Sequence, residues 1–191
     1  MKMITIDDII NKLEIIEKES QGKTRNKCRK LKNDIRQVSD KLYYEANFDK
    51  RFILPNYNKL LYDIDNLEKQ KFYLMVVHIP QIQKEYYNDE IKFTNSMNFI
   101  NQLKNIAFKE DGIIIKNLYI VTDYLILLVD KHNVERIYKM IKQLKETKGH
   151  PTYQLYFEKY EYNCSRTNKN LKAIIKKVNT VFSGKQEIEQ E

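Results

Sequence analysis

The stretch IIIKNLYIVTDYLILLV, residues 113–129, decides the fold. It contains two apolar runs, 113–121 and 124–129, with Thr122 and Asp123 between them as the residues best suited to a turn. Two apolar runs separated by so short a connection predict neighbouring antiparallel strands. A helical pattern lies on each side of this pair, and a further strand pattern lies beyond each helix.

The flanking patterns are clear in both directions. Residues 72–79 (FYLMVVHI) form a continuous apolar run stopped by Pro80, as expected of a central strand buried on both faces. Residues 93–107 then place apolar side chains at helical intervals. After the strand pair, a helix follows Asn133, and residues 152–162 alternate like a strand with one wet face.

The order from residue 72 is therefore strand, helix, strand, strand, helix, strand, helix. Right-handed crossovers around one sheet make this an α+β fold with a ferredoxin-like, palm-type βαββαβ core. One added helix is capped by Asn56, and a last helix with Leu171 to Phe182 on its inner face ends at Gly184. We expect this domain to cover residues 49–186, followed by an acidic tail, 187–191.

The first 48 residues predict two amphipathic helices separated at Gln21-Gly22, an extension that resembles a coiled coil. The apolar seam of the second helix consists of Cys28, Leu31, Ile35, Val38 and Leu42. These helices can close on each other as a hairpin or pair with a second chain. We favour a dimerising stalk, which would make the protein a homodimer.

Positive charge is concentrated in one segment of the chain. The 191 residues include 34 Lys and Arg against 26 Asp and Glu, a net charge of +8. Between residues 23 and 36, Asp34 is the only acid, and the basic residues are Lys23, Arg25, Lys27, Arg29, Lys30, Lys32 and Arg36. Such a segment can contact nucleic-acid phosphates, or it can be a solvated helix face. No aromatic residues interleave for base stacking.

Composition excludes several function classes. None of the four glycines lies within phosphate-loop spacing of another, and the two cysteines and three histidines lack metal-ligand spacing. The sequence therefore predicts no metal site and no cofactor. No apolar run is long enough to span a membrane, and the start MKMITIDDII is unlike a signal peptide. We expect a cytoplasmic protein without membrane attachment.

About residues 50–186 resemble a GGDEF domain, the diguanylate cyclase domain of bacterial signalling. The phrase Leu54-Pro55-Asn56-Tyr57 resembles the family's LPNR opening. Residues 119–128 lie where the family has its signature hairpin and the apolar strand that leaves it. Leu171 to Lys185 is similar to the closing helix, with Phe182 and Lys185 at that helix's usual Tyr and Lys. A heptad-bearing helix before the domain is also usual in the family.

The catalytic motif of that family is lost in this chain. The positions that correspond to it are His78, Pro80, Ile120, Val121, Thr122, Asp123 and Tyr124. The resemblance implies two divalent metals, held by carboxylates at the first strand and in the hairpin, that activate a 3′-hydroxyl for attack on an α-phosphate. Here His78 and Pro80 stand at the first strand, and Asp123 alone falls in the hairpin, on the signature Glu. One carboxylate cannot hold two metals.

Two further features of the family are also altered. The family's product-inhibition motif, RxxD, is expected just before the hairpin. Residues 109–114 at that place are KEDGII and do not match it. In the region that reads the base, residues 86–89 (YYND) supply an Asn and an Asp, but two residues late. The resemblance therefore implies loss of the cyclic dinucleotide site.

Three functions remain open. The first is a catalytically inactive GGDEF-like pseudoenzyme that acts as a regulatory or protein-interaction module, dimeric through its N-terminal helices, with a protein partner that the sequence does not identify. The alternative is a nucleic-acid-binding protein that uses residues 23–36. The third is a phosphotransfer or cyclase enzyme with relocated ligands. The missing ligands and glycines, together with a well-patterned core, favour the first.

Overall fold

The structure, a computed structural model, describes residues 5–67, 71–79, 90–145, 153–161 and 167–186. The chain divides into two compact units, one that ends at Asn47 and one that begins at Phe48. The predictions made for Pro80, for residues 86–89 and for the acidic tail lie outside the described residues.

The N-terminal unit is a pair of helices that pack on each other within the chain. Helix α1 covers Ile6–Glu19, and helix α2 covers Gly22–Asn47. Thr5 caps α1 by accepting a hydrogen bond from the backbone N–H of Asp8, whose carboxylate accepts one from the N–H of Thr5 in return. Gly22 has a φ of 59°, a left-handed conformation that suits glycine at the sharp reversal between the helices. The sequence left open whether the helices pair within the chain, and here they do.

The second unit begins with a short antiparallel pair, β1 (Phe48–Asp49) and β2 (Leu54–Pro55). Helix α3 (Tyr57–Asp65) follows, and its cap is the predicted one. The Asn56 side chain accepts hydrogen bonds from the backbone N–H groups of Asn58 and Lys59.

Four antiparallel strands form the main sheet: β3 (Lys71–His78), β4 (Tyr119–Val121), β5 (Tyr124–Asp130) and β6 (Gln154–Glu161). Their spatial order is β4-β5-β3-β6. Helix α4 (Glu90–Lys109) connects β3 to β4, and helix α5 (Val134–Lys145) connects β5 to β6. This order is the ferredoxin-like βαββαβ arrangement, so the predicted α+β fold class is confirmed.

Each face of the sheet is covered by two helices. Side chains of β3 alternate between the faces, with Val77 on one and Val76 on the other. Helices α4 and α5 pack on the face of Val77. Helix α3 and the last helix, α6 (Thr167–Gln186), pack on the face of Val76. Burial on both faces explains why β3 is a continuous apolar run.

Several element boundaries differ from the predicted ones. The first apolar run contributes only three residues to β4, and just before them the Asn117 N–H donates to the Ile115 carbonyl oxygen in a tight turn. Ile113 forms an isolated bridge with Val129, flanked by hydrogen bonds from the Ile114 N–H to the Leu128 carbonyl oxygen and from the Asp130 N–H to the Gly112 carbonyl oxygen. A short 3-10 turn, Lys131–Asn133, precedes α5, and α6 continues past Gly184 to Gln186. No helix among the described residues is long and apolar enough to cross a membrane.

Candidate functional site

The β4–β5 turn is where the GGDEF resemblance places the signature. Val121 and Tyr124 are paired across the two strands, so Thr122 and Asp123 form the tight turn, as the sequence predicted. Thr122 has a φ of 56°, a backbone conformation that costs a β-branched residue free energy and costs glycine none. Its Oγ1 donates a hydrogen bond to the Val121 carbonyl oxygen at 2.6 Å.

Ile120 and Val121, which the resemblance aligns with the two signature glycines, are core residues. Ile120 packs into the cluster on the α4 and α5 side of the sheet, and Val121 packs into the cluster on the α3 and α6 side. Both are buried. Side chains therefore fill the space on both faces of the sheet at these two positions.

His78, at the end of β3, is buried among aromatic rings. It is 7% exposed and lies opposite Tyr124 on one neighbouring strand and Gln154 on the other. Its ring stacks on Phe182 of α6 at a centroid distance of 5.3 Å and lies 5.2 Å from the ring of Tyr124. The His78 Nδ1 atom lies within hydrogen-bond distance of the Gln154 side-chain amide, 3.3 Å from its oxygen.

The carboxylate of Asp123 stands beside this aromatic cluster. Burial raises the pKa of the Tyr124 phenol, and the negative charge of Asp123 raises it further. Among the described residues, no group of three or more His, Cys, Asp or Glu side chains is placed to hold a metal ion. Pro80, the other first-strand position, lies outside the described residues.

An arginine that the sequence analysis did not identify as a site residue also contacts the β4–β5 turn. Arg51 binds Asp49 through two nitrogens, with Nε at 3.1 Å and Nη2 at 2.8 Å from Oδ2, and Nη2 donates to the Thr122 carbonyl oxygen at 3.4 Å. Burial disfavours the charged form of Asp49, but the hydrogen bonds from Arg51 outweigh it and lower the pKa of Asp49. The spacing Asp-x-Arg just before Leu54-Pro55 was the available signal.

The predicted basic segment is partly neutralised by acids of α1. Glu17 accepts from Arg29 Nε at 3.2 Å and from Lys32 Nζ at 2.6 Å. Glu14 accepts from Arg36 Nη2 at 3.3 Å. The hydrogen bond from Lys32, followed by that from Arg29, lowers the pKa of Glu17 against the opposing effect of burial. The remaining basic residues of the segment, all exposed, are Lys23, Arg25, Lys27 and Lys30.

The predicted seam of α2 splits into an inner and an outer part. Cys28 is buried and Ile35 is half-buried, whereas Leu31, Val38 and Leu42 are 48–57% exposed. Three isoleucines of α1 are 40–45% exposed. We call these six residues the hairpin apolar face: Ile6, Ile9, Ile16, Leu31, Val38 and Leu42.

The hairpin register makes this face continuous. Glu17 pairs with Arg29, and Glu14 pairs with Arg36, so α1 and α2 run antiparallel with Ile16 level with Leu31. On both helices most of these apolar residues lie about a quarter turn to one side of the contact line, and the ion pairs lie to the other side. One side of the hairpin is therefore ionic and the other is aliphatic.

Comparison with known proteins gives a structural likeness. No family model matches the sequence, and no curated protein matches it. A solved structure described as a diguanylate cyclase/phosphodiesterase from Caldicellulosiruptor saccharolyticus is similar to this chain, with 17% sequence identity and a TM-score of 0.44. The match covers 69% of this chain and 83% of that chain.

Proposed function

We propose that this chain is a catalytically inactive, GGDEF-like regulatory or interaction module that forms a homodimer through the hairpin apolar face. The observation that carries the proposal is that face: six large aliphatic side chains, 40–57% exposed, on one side of a two-helix unit. The residues at the β4–β5 turn support the inactive part of the proposal.

Of the two first-strand positions, the structure describes His78, and its side chain is buried. His78 is stacked on Phe182 and bonded to Gln154, so its imidazole is committed to packing. Imidazole is also a poor ligand for magnesium, which prefers anionic oxygen. Asp123 is one carboxylate at the turn, and the neighbouring Asp49 is held by Arg51.

The helical hairpin buries too few apolar side chains by itself to form a core. Within residues 5–47, Cys28 is the only buried side chain. Units this small rarely reach stability without oligomerisation, a metal or disulfides. Burial of the aliphatic face against another protein surface would supply the missing apolar contact.

A second copy of the chain fits that face. The face is aliphatic, so two copies related by a two-fold axis would bring the same residues together in a four-helix arrangement. Its exposed edge on α2 carries Lys27, Asp34 and Lys41 at heptad spacing, with alternating sign. An edge with both signs can complement another copy of itself, whereas a polyanion would meet Asp34 as a repulsive group.

The experiment is light scattering of the full chain over a range of concentrations. We expect a dimer for the unmodified protein and a monomer for the double variant Leu31→Gln, Val38→Gln. Burial of each half-exposed side chain contributes about 1 kcal/mol. The two substitutions occur in both copies and remove four such side chains, so the dimer affinity should fall roughly a thousandfold.

Ile15 provides a matched control. It is 56% exposed on α1 but lies on the side away from the hairpin apolar face, so Ile15→Gln should remain dimeric. A monomeric unmodified protein, or a double variant that still dimerises, would contradict the proposal.

A further inference from the structure

An apolar groove opens on the second unit, between the β1–β2 pair and the C-terminal half of α4. Its volume is about 340 Å³, and Phe48, Leu54, Phe108 and Leu118 line it together with Lys104. A cavity of ~150 Å³ holds a benzene ring, so the groove has room for one large side chain and part of its neighbour. None of the β4–β5 turn residues lines it.

Two large side chains stand exposed at this groove. Phe108 is 69% exposed and Ile53 is 63% exposed. Phe108 lies one helical turn after Lys104, so both belong to the same face of α4. A small molecule bound inside the groove would leave these two side chains exposed to water. A protein segment would cover both the groove and the exposed side chains beside it, as at the apolar centre of a protein-binding site.

Ile53 is held in this exposed position at a cost in free energy. Its φ is 55°, in the left-handed region that a β-branched residue rarely adopts. The turn that imposes this conformation is fixed by Asp49, whose side chain accepts from the Arg51 N–H and whose carbonyl oxygen accepts from the Ile53 N–H at 2.9 Å. Strain of this kind persists where the surroundings enforce it, and it concentrates at binding sites.

Lys104 gives the groove a positive charge. Its Nζ donates to the Phe52 carbonyl oxygen at 3.4 Å, which is the outer limit for such a bond. An ammonium has three donors, so it can also bind a carboxylate at the mouth of the groove. Asn105 and Asn117 line the same groove with amide groups, which can pair with a peptide backbone.

We propose that this groove binds a short peptide segment of another protein, with a large apolar side chain inserted beside Phe108 and a neighbouring Asp or Glu paired with Lys104. This names the partner class and the surface for the interaction role proposed above, and it rests on that role. It does not depend on dimerisation through the helical hairpin.

The test is selection of random short peptides displayed on phage against the full-length protein. Enriched peptides should share an aromatic or large aliphatic residue next to Asp or Glu. Their affinity should fall about tenfold or more for Phe108→Ser. The variant Tyr62→Ser, which removes a 60% exposed aromatic ring from α3 outside the groove, should bind them unchanged.

A charge swap tests the role of Lys104. Lys104→Glu should reject the selected peptides and should bind versions in which the acid is replaced by Lys. The Leu31→Gln, Val38→Gln variant should bind the original peptides normally, so failure of the dimer and failure of the groove are distinguishable. No enrichment, or peptides that bind Phe108→Ser as well as the unmodified protein, would overturn the proposal. A change of oligomeric state in Phe108→Ser would also overturn it, because a second copy would then be the occupant.

Discussion

The phenol of Tyr119 on β4 donates a 2.7 Å hydrogen bond to Oδ2 of Asp63 on α3, while Oδ1 of the same carboxylate accepts from Lys59 Nζ at 2.6 Å. Tyr119 is fully buried. Burial and the adjacent carboxylate both raise the pKa of this phenol, so it remains a donor at every ordinary pH. The contact joins the edge strand of the sheet to the helix that follows Asn56.

Removal of that hydrogen bond should destabilise the second unit. Tyr119→Phe should lower the free energy of unfolding by about 1.5–3 kcal/mol, the usual contribution of a hydrogen bond to a charged group. Urea unfolding measures this. Tyr62→Phe, at a 60% exposed ring on α3, should stay within about 0.5 kcal/mol of the unmodified protein. Equal losses in both variants would show that the Tyr119–Asp63 contact contributes nothing specific.

The sequence predicted the elements that local signals determine. Asn56 caps α3 and Thr122-Asp123 forms the turn, because each signal acts within a few residues. It could not predict which face of α1 meets α2. Apolar residues surround much of α1, and the pairing is selected by ion pairs such as Glu14–Arg36, 22 residues apart. The Arg51–Thr122 contact, 71 residues apart, was invisible for the same reason.

Relief of the backbone strain at Ile53 should raise the stability of the protein and weaken peptide binding at the groove. Ile53→Gly removes a left-handed β-branched residue, and after the entropy cost of glycine in the unfolded chain it should stabilise the protein by about 0.5–1 kcal/mol. The same variant should bind groove peptides more weakly, since it removes an exposed apolar contact. Thermal unfolding and peptide affinity measured together test this. A variant that loses stability would contradict the strain argument.

Thr122→Gly isolates strain at the other turn. It should change the free energy of unfolding by less than about 0.5 kcal/mol, because the relief of strain is offset by loss of the hydrogen bond from Thr122 Oγ1 to the Val121 carbonyl oxygen. Peptide binding at the groove should not change, because Thr122 does not line it. Weaker peptide binding in Thr122→Gly would indicate that the two turns act as one site.

Acid should loosen the helical hairpin. The pKa of Glu17 is lower in the folded state than in the unfolded chain, so its stabilising effect is fully present above the unfolded value of about 4.3 and is lost as the pH falls through the lower folded value. Hydrogen exchange of α1 and α2 amides across this range measures the loss. Glu17→Gln should show faster exchange at neutral pH and a flatter pH profile, and the same profile as the unmodified protein would contradict the mechanism.

We expect no cyclic dinucleotide from GTP with magnesium or manganese. His78 is packed against Phe182, and Ile120 and Val121 are core side chains, so under the proposed function this turn would not assemble two metals on a triphosphate. Chromatography of the reaction products measures this, with Asp123→Ala as the paired variant. Metal-dependent product from the unmodified protein that disappears in Asp123→Ala would contradict this prediction and would support a phosphotransfer or cyclase enzyme with relocated ligands.

Nucleic-acid binding should be weak and limited by the ion pairs of the hairpin. With Arg29, Lys32 and Arg36 bound to α1 acids, four exposed basic residues remain in the segment. Duplex DNA should therefore bind at roughly 10⁻⁴ to 10⁻⁶ M, with a log–log salt slope no steeper than about 3.6. The variant Glu14→Gln, Glu17→Gln releases three more cations and should steepen the slope toward about 6. Fluorescence anisotropy with a labelled duplex in a salt titration measures both values. Nanomolar, sequence-selective binding by the unmodified protein in physiological salt would instead make nucleic-acid recognition its primary role.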